Sequence, residues 1–423
     1  GGPPRVGLLL SGTRGDHQPA VPFVAALVAL GLRVMVFAKK SFVPLLSGLG
    51  AEVAPLPGQD YEQILTKTCV RRALAAGRNL GTSLAVDKHV QRAAEEAGCL
   101  DAIVQGLREL QPTVLVWHMA LPVEAVVAHR LFGCPSVCLA FFPWAPSREL
   151  PSFIIAATRL GRPGRVNRAT HAVLWKYGFP VGKRRLIDHA LKTYGVSVTG
   201  ADLYELFSSP DRPMLCAWSP LLSPLAADVH AGVLRPSGFF SMGDAEQRRS
   251  FELPEDLRAF VDATRRSELA FVSWGSMGCG SDARLSALAV GALRRAGARG
   301  VVQSGYSDLR PEKLADPELR AYAEARVHFV PRGVSVPHSW LLPRCGACVH
   351  HGGAGTVAAC LRAGTPSVVT PAYLDQHFWA ERLAACGAGL RGPPLASASG
   401  DAVGDLLKAC LEDLALGGGR LAA

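Results

Sequence analysis

The chain is expected to be an α/β protein made of two Rossmann-like halves, each on a parallel sheet, and three observations carry this. Its 423 residues, 49% of them hydrophobic, can bury a large core, and at roughly 100–200 residues per domain they suggest two or three domains. Short apolar runs alternate with Ala/Leu-rich stretches of helical spacing from end to end, which favours parallel strands joined by helices. Twice, near residue 6 and again near residue 270, an apolar run ends in a glycine-containing turn that a helix follows.

The first such start is Val6–Leu10, which ends in Ser11-Gly12-Thr13-Arg14-Gly15-Asp16; Ala, Val and Leu then recur at helical spacing to Leu30. Gly31 closes that helix, and Arg33–Ala38 and Val53–Leu56 complete the opening βαβαβ of a doubly wound sheet. Residues 58–100 read as helical, Thr113–Trp117 as a strand, Val123–Leu131 as a helix and Ser136–Phe141 as a strand. Residues 143–215, with helical stretches at 165–195, read as an insertion over the sheet's carboxyl edge that would build a ligand pocket. Prolines and glycines then thicken between Trp218 and Pro254. The second start is the strand Ala270–Trp274, the turn Gly275-Ser276-Met277-Gly278 and the helix Leu285–Ala296, with further strands at Gly300–Gln303, Val327–Val330 and Ala347–His350. The expected division is an N-terminal domain at 1–225, a linker at 226–255 and a C-terminal domain at 256–423.

Lys plus Arg exceed Asp plus Glu by 45 − 35 = 10, so the surface field should attract anions such as a nucleoside diphosphate or an acidic membrane face. The basic residues are scattered, and the groups Arg71-Arg72, Lys183-Arg184-Arg185 and Arg265-Arg266 read as solvated surface with no nucleic-acid partner implied. Eleven cysteines in a chain of this length read as the semi-buried thiols of a reducing compartment. Cys345 and Cys348 form a C-x-x-C string, but no second pair accompanies it, so neither a metal nor a redox role is expected. The apolar stretch Val21–Ala38 is broken by Gly31 and Arg33, and the one around Val114–Trp144 contains Glu124, His129 and Arg130. Neither can span a bilayer. With no recognisable signal peptide, a cytoplasmic, soluble protein is expected, with peripheral membrane contact compatible with its charge.

The strongest chemical signal is His350-His351-Gly352-Gly353-Ala354-Gly355-Thr356-Val357, after a strand and before the helix Val357–Ala363. Glycines let backbone approach a ligand, and a helix start offers free N–H groups and a positive dipole end to a diphosphate. Downstream, Asp375-Gln376 pairs a carboxylate with an amide, a set that can accept from and donate to sugar hydroxyls.

Three blocks carry a resemblance to family 1 glycosyltransferases, and within them to sterol 3-β-glucosyltransferases and related bacterial natural-product enzymes. They are Gly12-Thr13-Arg14-Gly15-Asp16-His17-Gln18-Pro19, the stretch Pro143-Trp144 to Pro151, and Pro337-His338 through the His351 box to Asp375-Gln376-His377-Phe378-Trp379. Weaker similarity at Ala217–Pro220 and Phe271–Gly275 extends the likeness over most of the chain. It implies a GT-B fold, two Rossmann-like domains facing across a cleft, and an inverting transfer of a hexose to a lipophilic, sterol-like alcohol. The donor would be a nucleoside diphosphate sugar, UDP-glucose first, with no metal or other cofactor. His351, Thr356 and the Gly353 and Gly355 backbone would hold the diphosphate, with help from Ser276. Asp375 and Gln376 would hold the sugar, and the loop Val336–His338 would lie against the base.

Asp16 is the candidate general base, because a group at the acceptor-side turn must take the alcohol's proton as its oxygen attacks the anomeric carbon. An ordinary aspartate is a feeble base for an alcohol, so burial or a partner is expected to raise its pKa. His17 and His118 are the possible helpers, although His17 stands where the sterol enzymes commonly carry Val. Asp16 could also merely stabilise the turn as a helix cap. Phe142 and Trp144, with Phe141, Phe153 and Trp175, could line a slot for a flat polycyclic acceptor, or they could be core. The rival reading is a catalytically silent lipid- or nucleotide-binding protein on the same fold, since fold alone does not decide function.

Overall fold

The computed structural model describes residues 2–77, 82, 86, 88–90, 92–93, 97–150, 152, 164–240 and 253–415. The chain divides into two compact units, Gly1–Ile64 with Leu84–Met242, and Leu65–Ser83 with Gly243–Ala423.

The first unit is built on β1 (Arg5–Leu9), β2 (Arg33–Lys39), β3 (Glu52–Leu56), β4 (Val114–His118), β5 (Ser136–Ala140), β6 (Met214–Cys216) and β7 (Leu234–Pro236). All pair in parallel, in the order β3-β2-β1-β4-β5-β6-β7. Consecutive residues such as Leu8-Leu9 and Val36-Phe37 are fully buried, as a parallel sheet covered on both faces requires. The helix Pro122–Phe132 opens on proline and ends at Gly133 with φ 62°, a start and stop legible in the sequence.

The second unit is built on β8 (Leu269–Ser273), β9 (Arg299–Gln303), β10 (Val327–Val330), β11 (Ala347–His350), β12 (Ser367–Val369) and β13 (Gly389–Arg391). These are also all parallel, in the order β10-β9-β8-β11-β12-β13. In each sheet the order reverses beside its first strand, between β1 and β4 and between β8 and β11. The crevice outside the carboxyl ends at such a reversal is where open α/β sheets take ligands.

The nine strands expected from sequence each fall within one residue of an observed strand. The four that pattern does not reveal, β6, β7, β12 and β13, are three residues long, too short for periodicity to register. β7 lies inside the stretch 226–255 expected as linker, of which residues 241–252 lie outside the described ones. Residues 65–83, expected within 1–225, fall in the second unit. There Arg71 donates Nε–H to the Gly280 carbonyl (2.8 Å) and pairs through Nη2 with Asp282 (2.6 Å). Arg71 is therefore not solvated surface, and neither is Lys183, which is buried, whereas Arg266 is exposed as expected while donating to the Cys345 and Gly364 carbonyls. No helix of the described residues is long and apolar enough to cross a membrane.

One close approach holds the β8 and β9 ends together. Tyr306 donates its N–H to the Gly275 carbonyl (2.9 Å), and Gly305, at φ +60°, passes so near that a Cβ there would lie 2.0 Å from that same oxygen. Gly305→Ala is therefore expected to destabilise the chain by more than about 2 kcal/mol. Equilibrium denaturation measures this, and a midpoint unchanged from the parent would refute the assignment.

Candidate functional site

At the reversal point of the first sheet, the chain leaves β1 through Gly12, whose φ of +121° suits only glycine. A Cβ there would lie 2.1 Å from Asp16 Oδ2, so the carboxylate leans directly over it. Asp16 is the third residue of the short helix Arg14–His17, with Thr13 as its N-cap. The Thr13 N–H (2.6 Å) and hydroxyl (3.2 Å) donate to Asp16 Oδ2, the reciprocal half of a capping box. The structural role weighed for Asp16 is thus realised, with Asp16 at N3 rather than at the cap itself.

The other oxygen, Oδ1, faces His118 Nε2 at 3.3 Å. His118 ends β4, is buried, and accepts the Ala120 N–H on Nδ1 (3.4 Å). That contact puts the ring proton on Nε2, which lies close to the carboxylate without the alignment of a hydrogen bond. The adjacent strand ends therefore assemble a carboxylate–imidazole couple, with Asp16 about a quarter exposed and His118 enclosed.

The expected raised pKa of Asp16 is corrected by this geometry. Burial, the largest single influence, pushes it up, but the closeness and charge of His118, the Thr13 N–H and the charge of His17 together hold it below 3.8. His17 is placed differently from a catalytic helper. It is fully buried, donates Nδ1–H to the Thr13 carbonyl (2.9 Å) and stacks on Phe42 at 4.0 Å. Burial drives its pKa down to about 4, against the raising effects of the Thr13 carbonyl and Asp16. It is a neutral ring that anchors the turn from beneath.

Phe142 and Trp144 are corrected as well. Both are buried in an aromatic chain in which Phe142 meets Trp144 edge-on (4.8 Å), Trp144 meets Trp175 (5.3 Å) and Trp175 stacks on Phe207 (4.1 Å). Their bulk is spent on core packing. Trp144 alone also borders a small apolar pocket with Leu150, Trp218, Leu225 and Val229. Phe153 lies outside the described residues.

In the second unit the glycine box follows β11 as expected, and Gly353 caps the helix Ala354–Ala363. His351 fills the space its glycines leave: a Cβ at Gly353 would lie 2.6 Å from its Nε2, and one at Gly275 3.2 Å from its Cε1. The ring thus sits between the turn after β8, which carries half-buried Ser276, and the box after β11. Its Nδ1 is enclosed without a hydrogen-bond partner, and burial, then the charges of His350 and His338, lower its pKa to about 3. His351 is therefore a neutral imidazole with unspent hydrogen-bonding capacity. The first helical turn beyond it is open, since a Cβ at Gly355 would meet nothing within 4 Å, and Thr356 beside it is half-buried.

Three strand ends under this box are tied together. Trp274 donates Nε1–H to Thr370 Oγ1 (2.7 Å), whose hydroxyl faces the His350 carbonyl at 3.4 Å. His350 itself is fully buried and accepts the Gly352 N–H on Nδ1 (3.0 Å). Its neighbours are the thiols of Cys348 and Cys360, all three donor atoms lying within 4.8 Å of one another. Cys348 thus meets a helix cysteine in addition to its sequence neighbour Cys345.

The remaining expected donor residues are partly committed to the protein itself. Val336 is core, and its N–H donates to Gln303 Oε1 (2.9 Å). His338 packs edge-on to Phe271 at 5.6 Å. Asp375 caps the helix Gln376–Ala385 and accepts Trp379 Nε1–H (2.8 Å). Gln376 is buried, its Oε1 accepting the N–H groups of Ala372 (2.8 Å) and Tyr373 (3.2 Å). Leu374 between them holds φ +54°, an unfavourable conformation for leucine. Gln303 and Thr370 are the positioning residues that sequence reading missed. Neither belongs to a motif, and only pairing across strands brings them to the site.

Residues 312–419 match the family described as the erythromycin biosynthesis protein CIII-like C-terminal domain. The chain is 28% identical over 399 residues to a sterol 3-beta-glucosyltransferase of Leptosphaeria maculans, covering 90% of this chain and 25% of that protein. It is 27% identical over 402 residues to one of Saccharomyces cerevisiae, covering 91% and 31%. It thus spans a quarter to a third of the length of these relatives. In fold it is similar to the glycotransferase of kitacinnamycin (TM-score 0.65, 21% identity, 99% of this chain and 93% of that one). It is also similar to the glycosyltransferase VinC in complex with DTDP (0.60, 18%, 97% and 92%). Its two parallel-sheet units thus have the GT-B fold of these solved glycosyltransferases, and in sequence the chain is similar to the sterol 3-beta-glucosyltransferases over a quarter to a third of their length.

Proposed function

We propose that this chain transfers a hexose, with inversion, from a nucleoside diphosphate donor to a hydroxyl of a sterol-like or other lipophilic alcohol, with UDP-glucose as the first donor to try. The observation that carries the reading is the Asp16–His118 couple at the reversal point of the first sheet. In the proposed step the alcohol oxygen bonds to the anomeric carbon, the bond to the diphosphate breaks, and its electron pair leaves with the phosphate. The alcohol's proton passes to the Asp16 carboxylate, and the His118 Nε2–H steadies that carboxylate. His351 donates to the diphosphate together with the helix N–H groups beyond Gly353, while Thr356 and Ser276 supply hydroxyls. Asp375, and Gln376 through its amide nitrogen, hold the sugar. The sterol acceptor rests on the names of the curated relatives.

The competing reading, a binding protein without turnover, is favoured by one fact: the Thr13 bonds of Asp16 are those of a purely structural carboxylate. Incubation with a panel of nucleotide sugars and lipophilic alcohols, with mass spectrometry of the alcohols, separates the two. A hexose adduct supports transfer, and donor binding without any adduct supports the binder.

In that assay Asp16→Asn should lower kcat by roughly 10²–10⁴ with donor affinity little changed. Because the Asp16 pKa lies below 3.8, its carboxylate stays ionised on lowering the pH from 8 to 5, so Asp16 should add no acid limb to the rate profile in that range. Near-normal turnover of the variant would remove Asp16 from the mechanism. His351→Ala should weaken donor binding about ten- to hundredfold by deleting a buried partner of the diphosphate, and calorimetry showing unaltered affinity would refute that role. Since helix N–H groups can receive the leaving diphosphate, turnover should persist in EDTA. Loss of turnover that Mg²⁺ restores would contradict this.

A further inference from the structure

The helical segment between β5 and β6, residues 164–194, differs from the rest of the surface in two respects. It carries seven lysines and arginines, six of them exposed and Lys183 buried, against one acid, Asp188, so that 6 − 1 = +5 lies on the surface of 31 residues in a chain of net charge +10. It also holds Val166, Val173, Tyr177, Val181 and Leu191, five of the seven large hydrophobic side chains exposed among the described residues. Scattered exposed apolar residues need no explanation, but such concentration does.

The arrangement is ordered. The helix Gly164–Val173, the π-turn Leu174–Gly178 and the helix Phe179–Gly182 form one helical run. Val173, Tyr177 and Val181 follow one another at four-residue intervals along it, which sets them on one face. They are 52%, 68% and 77% exposed. The opposite face is pinned, with Leu174 and Trp175 buried and Trp175 stacked on Phe207. The stripe is therefore held outward by a fixed base. Exposed Arg184 and Arg185 open the next helix, Arg184–Tyr194, and exposed Lys176 lies 4.8 Å over the Tyr204 ring. Asp188, 3.7 Å from Arg184, offsets one of these charges.

The charge identifies the occupant. A second copy of the same face would set +5 against +5, whereas an anionic surface would be attracted by every flanking cation. We propose that this run is a docking face for an anionic lipid bilayer, in which Val173, Tyr177 and Val181 enter the headgroup boundary while Arg184, Arg185 and Lys176 meet lipid phosphates and carboxylates. Apolar residues on one helix face with basic residues beside them are the pattern of helices that lie in a membrane interface. Each basic side chain near such a surface contributes about 1 kcal/mol, screened by salt. This inference stands whether or not the chain transfers sugar.

The test is flotation of the purified chain with vesicles of phosphatidylcholine alone or mixed with phosphatidylserine. The parent should float with the anionic vesicles at low salt, stay behind with the neutral ones, and be released by high salt. The double variants Arg184→Glu/Arg185→Glu and Tyr177→Asp/Val181→Asp should each partition at least about tenfold more weakly. All four positions are exposed, so thermal melts should match the parent and exclude misfolding as the cause. Failure of the parent to float, or parent-like flotation of both variants, overturns the proposal. So does a vesicle-free dimer that Tyr177→Asp/Val181→Asp dissolves, which would make the face a self-interface.

Discussion

Covering a parallel sheet on both faces leaves it one chemically open edge, and the rest of this molecule follows from that constraint. Strand interiors must be apolar on both sides, so polar side chains collect where the strands end and the helices begin. In the first unit β1 and β4 end side by side and deliver Asp16 and His118 to one point. In the second, β8 and β11 end side by side and deliver the Gly275 turn and the His351 box. Asp16 and His118, 118 − 16 = 102 residues apart, and Gly275 and His351, 351 − 275 = 76 apart, meet because the first strand of each sheet is flanked by its second and fourth.

At both edges the reactive groups are held by backbone rather than by long side chains. Thr13 and Gly12 fix the Asp16 carboxylate, and Gly353 and Gly275 give His351 its only room. The Trp274–Thr370–His350 chain then locks the ends of β8, β11 and β12. Buried polar groups of this kind are costly when unpaired and rigidifying when paired. His351 keeps an enclosed, unpaired Nδ1, an unmet demand that a ligand's oxygen would satisfy. Its low pKa means that what it brings to an anion is hydrogen bonding rather than full charge.

The order of nine strands and both glycine turns was legible because apolar period, glycine and helix starts are local signals. Three-residue strands such as β6 and β13 are fixed by their neighbours and leave no local trace. Side-chain orientation was the larger gap. Spacing made Asp16 the candidate base with His17 a possible helper beside it, but a helical turn sends adjacent side chains in different directions, and His17 went under Phe42 while Asp16 stayed at the edge. Phe142 and Trp144 read equally as a slot or as core, because an aromatic cluster has the same composition whether it lines a ligand or fills a core. The dual use of Gln376, whose amide oxygen supports its own loop, was equally invisible without coordinates.

The depressed pKa of Asp16 changes what kind of base it can be. A carboxylate stabilised by a nearby imidazole, a backbone N–H and a hydroxyl is always ionised near neutrality, so none of it is lost to prior protonation. The same bonds reduce its appetite for a proton, and an unreacted alcohol would not yield one to it. Under the proposed chemistry the transfer must therefore be late: the hydroxyl becomes acidic only as its oxygen shares electrons with the anomeric carbon. What Asp16 then supplies is chiefly a negative charge placed in advance beside an oxygen that becomes positive, stabilisation that needs no reorganisation at the moment of reaction. His118 fits that role better than it fits a relay, because its Nδ1 faces the Ala120 N–H and only its Nε2 side lies near the carboxylate. The couple is built to hold a charge in place, and the sheet's reversal point is what sets the place.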